Sequence, residues 1–253
     1  MFRLDPLLQS HRARPYNHLM WSGDFGADFL AHVQKRIELA KRLNEGECGG
    51  SYADAVLILS STLSGIAADI WPGEGKDRNR FVELWANYAE SALKPNLISV
   101  PLLLNQLEDR GDDDLAEKVR ATRPGAFYPP GIPDALPLIV TGDHVDQSES
   151  ELLALDPKLT ASELRPFSYG NLFYKHVRSG YTHEGHTTDF ASRYPMALEP
   201  VPVSYVNYVS RPHRRIYFSV DWVAELVESI SASVEPLLLQ QPLQEPKPWW
   251  IRG

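Results

Sequence analysis

Residues 51–71, SYADAVLILSSTLSGIAADIW, decide the fold class. Apolar and small side chains fall on nearly every side of a helix drawn through this stretch. A helix with no wet face belongs at the centre of a bundle. Ser51 suits the N-cap, because its hydroxyl can accept from a free amide of the first turn. Pro72 and Gly73 stop the helix: one lacks an amide hydrogen and the other is flexible.

A buried helix needs others around it, and the flanks supply them. In ADFLAHVQKRIELAKRLN, residues 27–44, Phe29, Leu30, Val33, Ile37, Ala40 and Leu43 recur at helical spacing opposite a charged face. The glycines of EGECGG end that helix. In GKDRNRFVELWANYAESAL, Phe81, Leu84, Trp85, Tyr88 and Leu93 form a stripe, with Asp77 as the expected cap. Shorter helices are expected over Val100–Asp109 and Asp112–Thr122, the second with acids in its first turn and bases in its last. Trp71, Trp85 and Trp222 read as core.

Residues 123–147 hold five prolines in RPGAFYPPGIPDALPLIVTGD, which precludes a long helix and predicts an extended segment packed across the bundle. A helix is expected from Thr160 to Thr182. VSYVNYV and RRIYFSV read as strands joined by the turn SRPHR, giving a β-hairpin over 202–219. DWVAELVESISASVEPLLL is a final amphipathic helix. The expected architecture is mainly α: one helical-bundle domain over 27–240, with a small C-terminal β-hairpin followed by a final helix. Residues 1–26 form an irregular arm and 241–253 a mobile proline-rich tail.

Composition narrows the function classes. A net charge of −8 disfavours a protein that coats nucleic acid indiscriminately. From Arg165 to Arg215, seven Lys/Arg face three acids, a net +4, and this window holds four of the eight histidines. A confined anion site fits that distribution better than a broad one. No run of about 18 apolar residues suggests a membrane span, and the N-terminus lacks the long apolar stretch of a signal peptide. The single Cys48 excludes an internal disulfide and fits a reducing cytoplasm.

The chemistry concentrates in residues 167–185, FSYGNLFYKHVRSGYTHEG, where Arg178 and His183 are spaced R-x4-H. Arginine keeps its proton, whereas histidine titrates near neutrality, so the pair can hold a phosphate and move protons on a neighbouring hydroxyl. Five residues advance an ideal helix by about 500°, placing the two side chains about 140° apart. Either Gly180 distorts the helix so that both reach one cleft, or two copies of the helix meet and complete the site across a two-fold axis. Lys175 could contact phosphate, Ser179 could hydrogen-bond substrate, Tyr181 could stack on a base, and Arg214, with Arg211, His213 and Arg215, could steer RNA.

Bland readings stand beside these. Arg178 could pair with Glu184 and His183 could merely cap the helix. Tyr169, Tyr174 and Tyr181 could be packing residues, and the basic turn a solvated loop. His176, His183 and His186 do not give zincin spacing, since the sequence reads H-E-G-H, so no metal and no cofactor are expected.

The stretch LFYKHVRSGYTHEG resembles the signature helix of HEPN (higher eukaryotes and prokaryotes nucleotide-binding) domains, which carry R-x4-6-H near the end of their last long core helix. The resemblance implies a helical bundle, a homodimer and metal-independent endoribonuclease activity in which Arg178 and His183 are catalytic. It implies a bacterial defence or toxin role, RNA or a nucleotide as ligand, and an antitoxin or regulatory protein as partner. Active members carry Asn, Asp or His directly after the arginine, where this chain has Ser179. That departure keeps open a non-catalytic nucleotide-, RNA- or protein-binding module.

Overall fold

The structure, a computed structural model, describes residues 25–75, 77–123, 139–195, 197, 200–208 and 211–238. The expected tail, the expected arm up to residue 24 and most of the proline-rich segment lie outside them; Phe25 and Gly26, expected in the arm, open the first helix. The core is built on α2 (Tyr52–Ile70), whose Ala55, Leu59, Leu63 and Ala67 are wholly buried. It packs against α1 (Phe25–Asn44), α3 (Asp77–Tyr88) and α11 (Val220–Val234). By length and composition α2 could cross a membrane, which counting consecutive apolar residues missed because its small and hydroxyl residues do not lower hydropathy enough. In this fold half of that span is buried against the other helices, and Asp54, Ser61, Gly65 and Asp69 give it the wet face that its sequence did not suggest. The outer helix α1 buries the stripe of Val33, Ile37 and Ala40, and leaves Leu30 partly exposed.

Two expected caps are realised differently. Ser51 is extended, but its hydroxyl donates to Asp54 Oδ2 at 2.7 Å rather than accepting an amide. Asp77 is itself the first helical residue and pairs with Arg80. The helices α4 (Val100–Asp109) and α5 (Asp113–Ala121) fall where their patterns place them. Ser99 caps α4 by accepting from the Leu102 amide, with Pro101 in the first turn, where its missing amide hydrogen costs nothing.

The sheet has three strands rather than the two of a hairpin. The end of the proline-rich segment forms β1 (Ile139–Thr141), which pairs antiparallel with β2 (Val203–Tyr208), Val140 opposite Tyr205. The β-branched Ile139 and Val140 occupy the edge that a two-stranded hairpin would leave unpaired. On its other side β2 pairs with β3 (Arg211–Phe218), Tyr205 opposite Ile216. Arg211 to Arg214, expected in the turn, therefore begin a strand; Pro212 sits near its start, where a missing donor is tolerated.

Three short helices connect β1 to the motif region: α6 (Gly142–Val145), α7 (Glu149–Leu155) and α8 (Ala161–Leu164). Reciprocal capping boxes, Ser148 with Glu151 and Thr160 with Glu163, start α7 and α8. The helix expected from Thr160 to Thr182 breaks, because Pro166 cannot donate within it: a 3-10 turn spans Arg165–Phe167 and Ser168 is extended. Helical backbone resumes as α9 (Tyr169–Leu172), a π-helical turn (Phe173–Arg178) and α10 (Ser179–Glu184).

At the centre of the packing, the Trp85 ring lies 5.0 Å from Phe173, 5.7 Å from Trp222, 6.1 Å from Phe81 and 6.5 Å from Phe218. One side chain thus joins α3, the motif helix, β3 and α11. Gly170 permits the contact, since a Cβ there would stand 2.9 Å from the indole ring.

Candidate functional site

The distortion in the motif helix lies upstream of Gly180, not at it. In the π-helical turn the Ser179 amide reaches back five residues to the Tyr174 carbonyl. Such turns take in one extra residue without its share of rotation, and they recur at functional positions. Beyond it α10 is regular through Gly180 and ends at Gly185, whose φ of 76° is the left-handed cap that glycine adopts without strain. Arg178 and His183 therefore remain about 140° apart around the axis, and one copy of the helix does not aim both at one point.

Gly180 has a different purpose: it admits the returning chain. A Cβ at this position would meet the His186 carbonyl oxygen at 2.6 Å and Thr187 Cα at 3.2 Å. Past this crossing, the Thr188 amide donates to the His176 carbonyl (3.1 Å) and Thr188 Oγ1 lies 2.7 Å from His176 Nδ1. The strap then bonds β3: Ser192 donates to the Ile216 carbonyl (2.8 Å) and Ile216 to the Phe190 carbonyl (3.0 Å). Gly65, on α2, has nothing within 4 Å of its missing Cβ. Gly65→Ala should therefore stabilise the fold by about 0.5–1 kcal/mol through helix propensity alone. Gly180→Ala should instead destabilise it by about 1–3 kcal/mol, since the strap must shift. Denaturant titration of both variants checks the contrast, and equal signs would refute it.

The expected site residues divide into two groups. Arg178 is half-buried, its guanidinium carbon 4.9 Å above the Tyr174 ring, and pairs with no carboxylate among the described residues; the expected pairing with Glu184 is not made. His183 is exposed in the last turn of α10. Lys175 is exposed and Ser179 half-buried on the same helix. Tyr181 and Arg214, by contrast, are built into the fold. Tyr181 is buried beside Tyr52 at 6.3 Å, with no hydrogen-bond partner for its hydroxyl among the described residues. Arg214 is buried and donates to Asn105 Oδ1 at 2.9 Å and Glu108 Oε2 at 3.2 Å, so it does not belong to a solvated basic turn.

Two features were not visible in the sequence. Arg78 of α3 reaches the motif helix, where its Nε and Nη2 donate to Asn171 Oδ1 at 3.2 and 2.9 Å. Its surroundings in the sequence, DRNR, read as an ordinary wet helix start. The second is a buried carboxylate, Asp146, which accepts from the hydroxyls of Tyr169 and Tyr205 and from the Val100 amide at 3.0 Å. Burial pushes it up to about 7, against the downward pull of those donors. His176 is perturbed in the opposite sense: burial first, then the charges of Lys175 and Arg78, push it down to about 4, so it is neutral at physiological pH. Tyr169 also borders a cavity of about 190 Å³ shared with Lys94, Asp143 and Trp222.

Comparison of the chain with family models, with curated proteins and with solved structures finds no match in any of the three.

Proposed function

We propose that the chain is a HEPN-like, metal-independent endoribonuclease acting as a homodimer in the cytoplasm. The supporting observation is the state of Arg178: a half-buried guanidinium stacked on Tyr174 with no carboxylate among the described residues to neutralise it. His183 stands exposed five residues on. Because the two diverge by about 140° on one helix, a second copy supplies the complementary pair. The His183 imidazole takes the proton of a ribose 2′-hydroxyl as its oxygen attacks phosphorus. Arg178 stabilises the charge on the phosphorane. The 5′-oxygen departs and is protonated by the imidazolium of the other copy, leaving a 2′,3′-cyclic phosphate and a 5′-hydroxyl. A role in bacterial defence or as a toxin, under an antitoxin or other regulatory protein, accords with this reading.

The test is cleavage of labelled RNAs in EDTA by wild type, Arg178→Ala and His183→Ala. Loss of activity by at least about a hundredfold in each variant, with melting unchanged, is the expected outcome. Activity abolished by EDTA, or retained by His183→Ala, would overturn it. Ser179 favours one second reading, a nucleotide-, RNA- or protein-binding module without turnover, since a hydroxyl after the arginine cannot act as a base. A folded dimer that binds RNA and never cuts it would establish that instead.

A further inference from the structure

We propose that Arg78, Lys175 and Arg178 form a stripe that holds successive phosphates of single-stranded RNA, with Phe190 as a stacking platform for a base. The choice of RNA rests on the ribonuclease reading; the anion site and its platform rest on geometry.

Half of this acidic protein's cations with described side chains pair with carboxylates, as in Arg110–Glu163, Lys118–Asp156 and Arg165–Glu149. The three of the stripe do not, among the described residues. Arg78 is half-buried yet donates to the neutral carboxamide of Asn171. Arg178 leans on the Tyr174 ring, and Lys175 projects from the next position into solvent. Arg78 and Arg178 both bear on Tyr174, so charges from two helices converge on one side of the motif helix. Asn171, Tyr174 and Arg178 follow one another at helical spacing, over about 10 Å of axis. Burial lowers the Arg78 pKa, the mark of a cation held partly out of water without an anion.

Phe190 distinguishes a nucleic acid from a simple anion. It is 39% exposed, and its ring lies 5.2 Å from that of His176, the residue directly after Lys175. An exposed aromatic packed on His176, which itself feels the charges of Lys175 and Arg78, suits unpaired bases, which stack without sequence preference, better than a duplex or an anionic lipid surface.

The probe is a short, labelled 2′-O-methyl RNA strand, which cannot undergo 2′-attack. Its anisotropy is read across a salt series with the full-length protein. Three phosphate contacts predict a log–log salt slope near about −2 for wild type. Arg78→Gln and Lys175→Gln should each flatten the slope by about 0.7 and weaken binding severalfold, and Arg78→Lys should restore most of the slope. Phe190→Ala should weaken binding about tenfold with the slope unchanged. No binding by wild type, or an unchanged slope in Arg78→Gln, would overturn the stripe. Equal affinity for the duplex would overturn the stacking platform, and binding to anionic-lipid vesicles alone would reassign the surface. The two readings fail separately: binding without cleavage leaves the stripe and removes the nuclease, while cleavage by Arg78→Gln with unaltered KM and salt slope does the reverse.

Discussion

Trp85→Ala should destabilise the protein by about 3–5 kcal/mol. The indole contacts rings from four elements, Phe81 of α3, Phe173 of the motif helix, Phe218 of β3 and Trp222 of α11. Its Nε1 also donates to the Pro95 carbonyl at 3.0 Å, which would lose its buried partner. A cavity bounded by elements so distant in sequence cannot collapse by moving one of them, so the upper part of the range is expected. Domains carry only about 5–15 kcal/mol in total. Urea denaturation should therefore show a large drop in midpoint, and Trp85→Phe should recover part of it. A loss below about 1 kcal/mol would mean that Trp85 is not the junction of the core.

A second large effect comes from two buried groups that titrate in opposite directions. Asp146 rises from an ordinary 3.8 to about 7 on folding. The folded state therefore holds its proton more tightly than the unfolded chain. Its contribution is complete below pH 4 and is lost as pH rises to about 7, about 4 kcal/mol at 1.36 kcal/mol per pH unit. His176 falls from 6.5 to about 4. Its contribution is complete above pH 6.5 and is lost as pH falls to about 4, about 3 kcal/mol by the same conversion. In the wild type these two slopes nearly cancel across one window. His176→Asn, which keeps a polar atom near Thr188, should unmask the Asp146 slope: relative to wild type, it gains stability as pH is lowered from 7 to 4. Asp146→Asn should do the reverse and become acid-labile. Denaturant midpoints measured across that range give the answer, and variants running parallel to wild type would exclude both assignments.

Helical periodicity carried far in this chain, because the apolar residues of α2 repeat at helical spacing and α4 and α5 begin at residues that cap or charge their first turns. What was hidden depended on long-range partners. β1 is three residues long after a run of prolines, and becomes a strand only because β2 offers an edge. The break at Ser168 was signalled by Pro166, but apolar spacing on both sides masked it. Arg214 looked solvated beside Pro212 and His213, yet Asn105 and Glu108 wait for it more than a hundred residues away in sequence. At the site, Arg178 and His183 were legible as a spaced pair. Arg78 and Asp146 were not, since nothing local separates a buried carboxylate or a reaching arginine from its wet counterparts.

The π-helical turn at Phe173–Arg178 has a consequence for how this helix could change over time. It stores one residue more than an α-helical turn needs within a continuous rod. Removing a single residue there would let the backbone relax to ordinary α-helix while leaving Ser179–Glu184 in nearly the same phase against Tyr169–Leu172. Straightening the turn at constant length would instead rotate everything beyond it by about 100°. His183 would then face another direction with no change in its chemistry. Gly180 would be carried out from under the strap, and the anchorage of Thr188 and Ser192 would be broken. A change of backbone form in one turn, with no change of sequence, is thus enough to re-aim the end of the helix that carries His183.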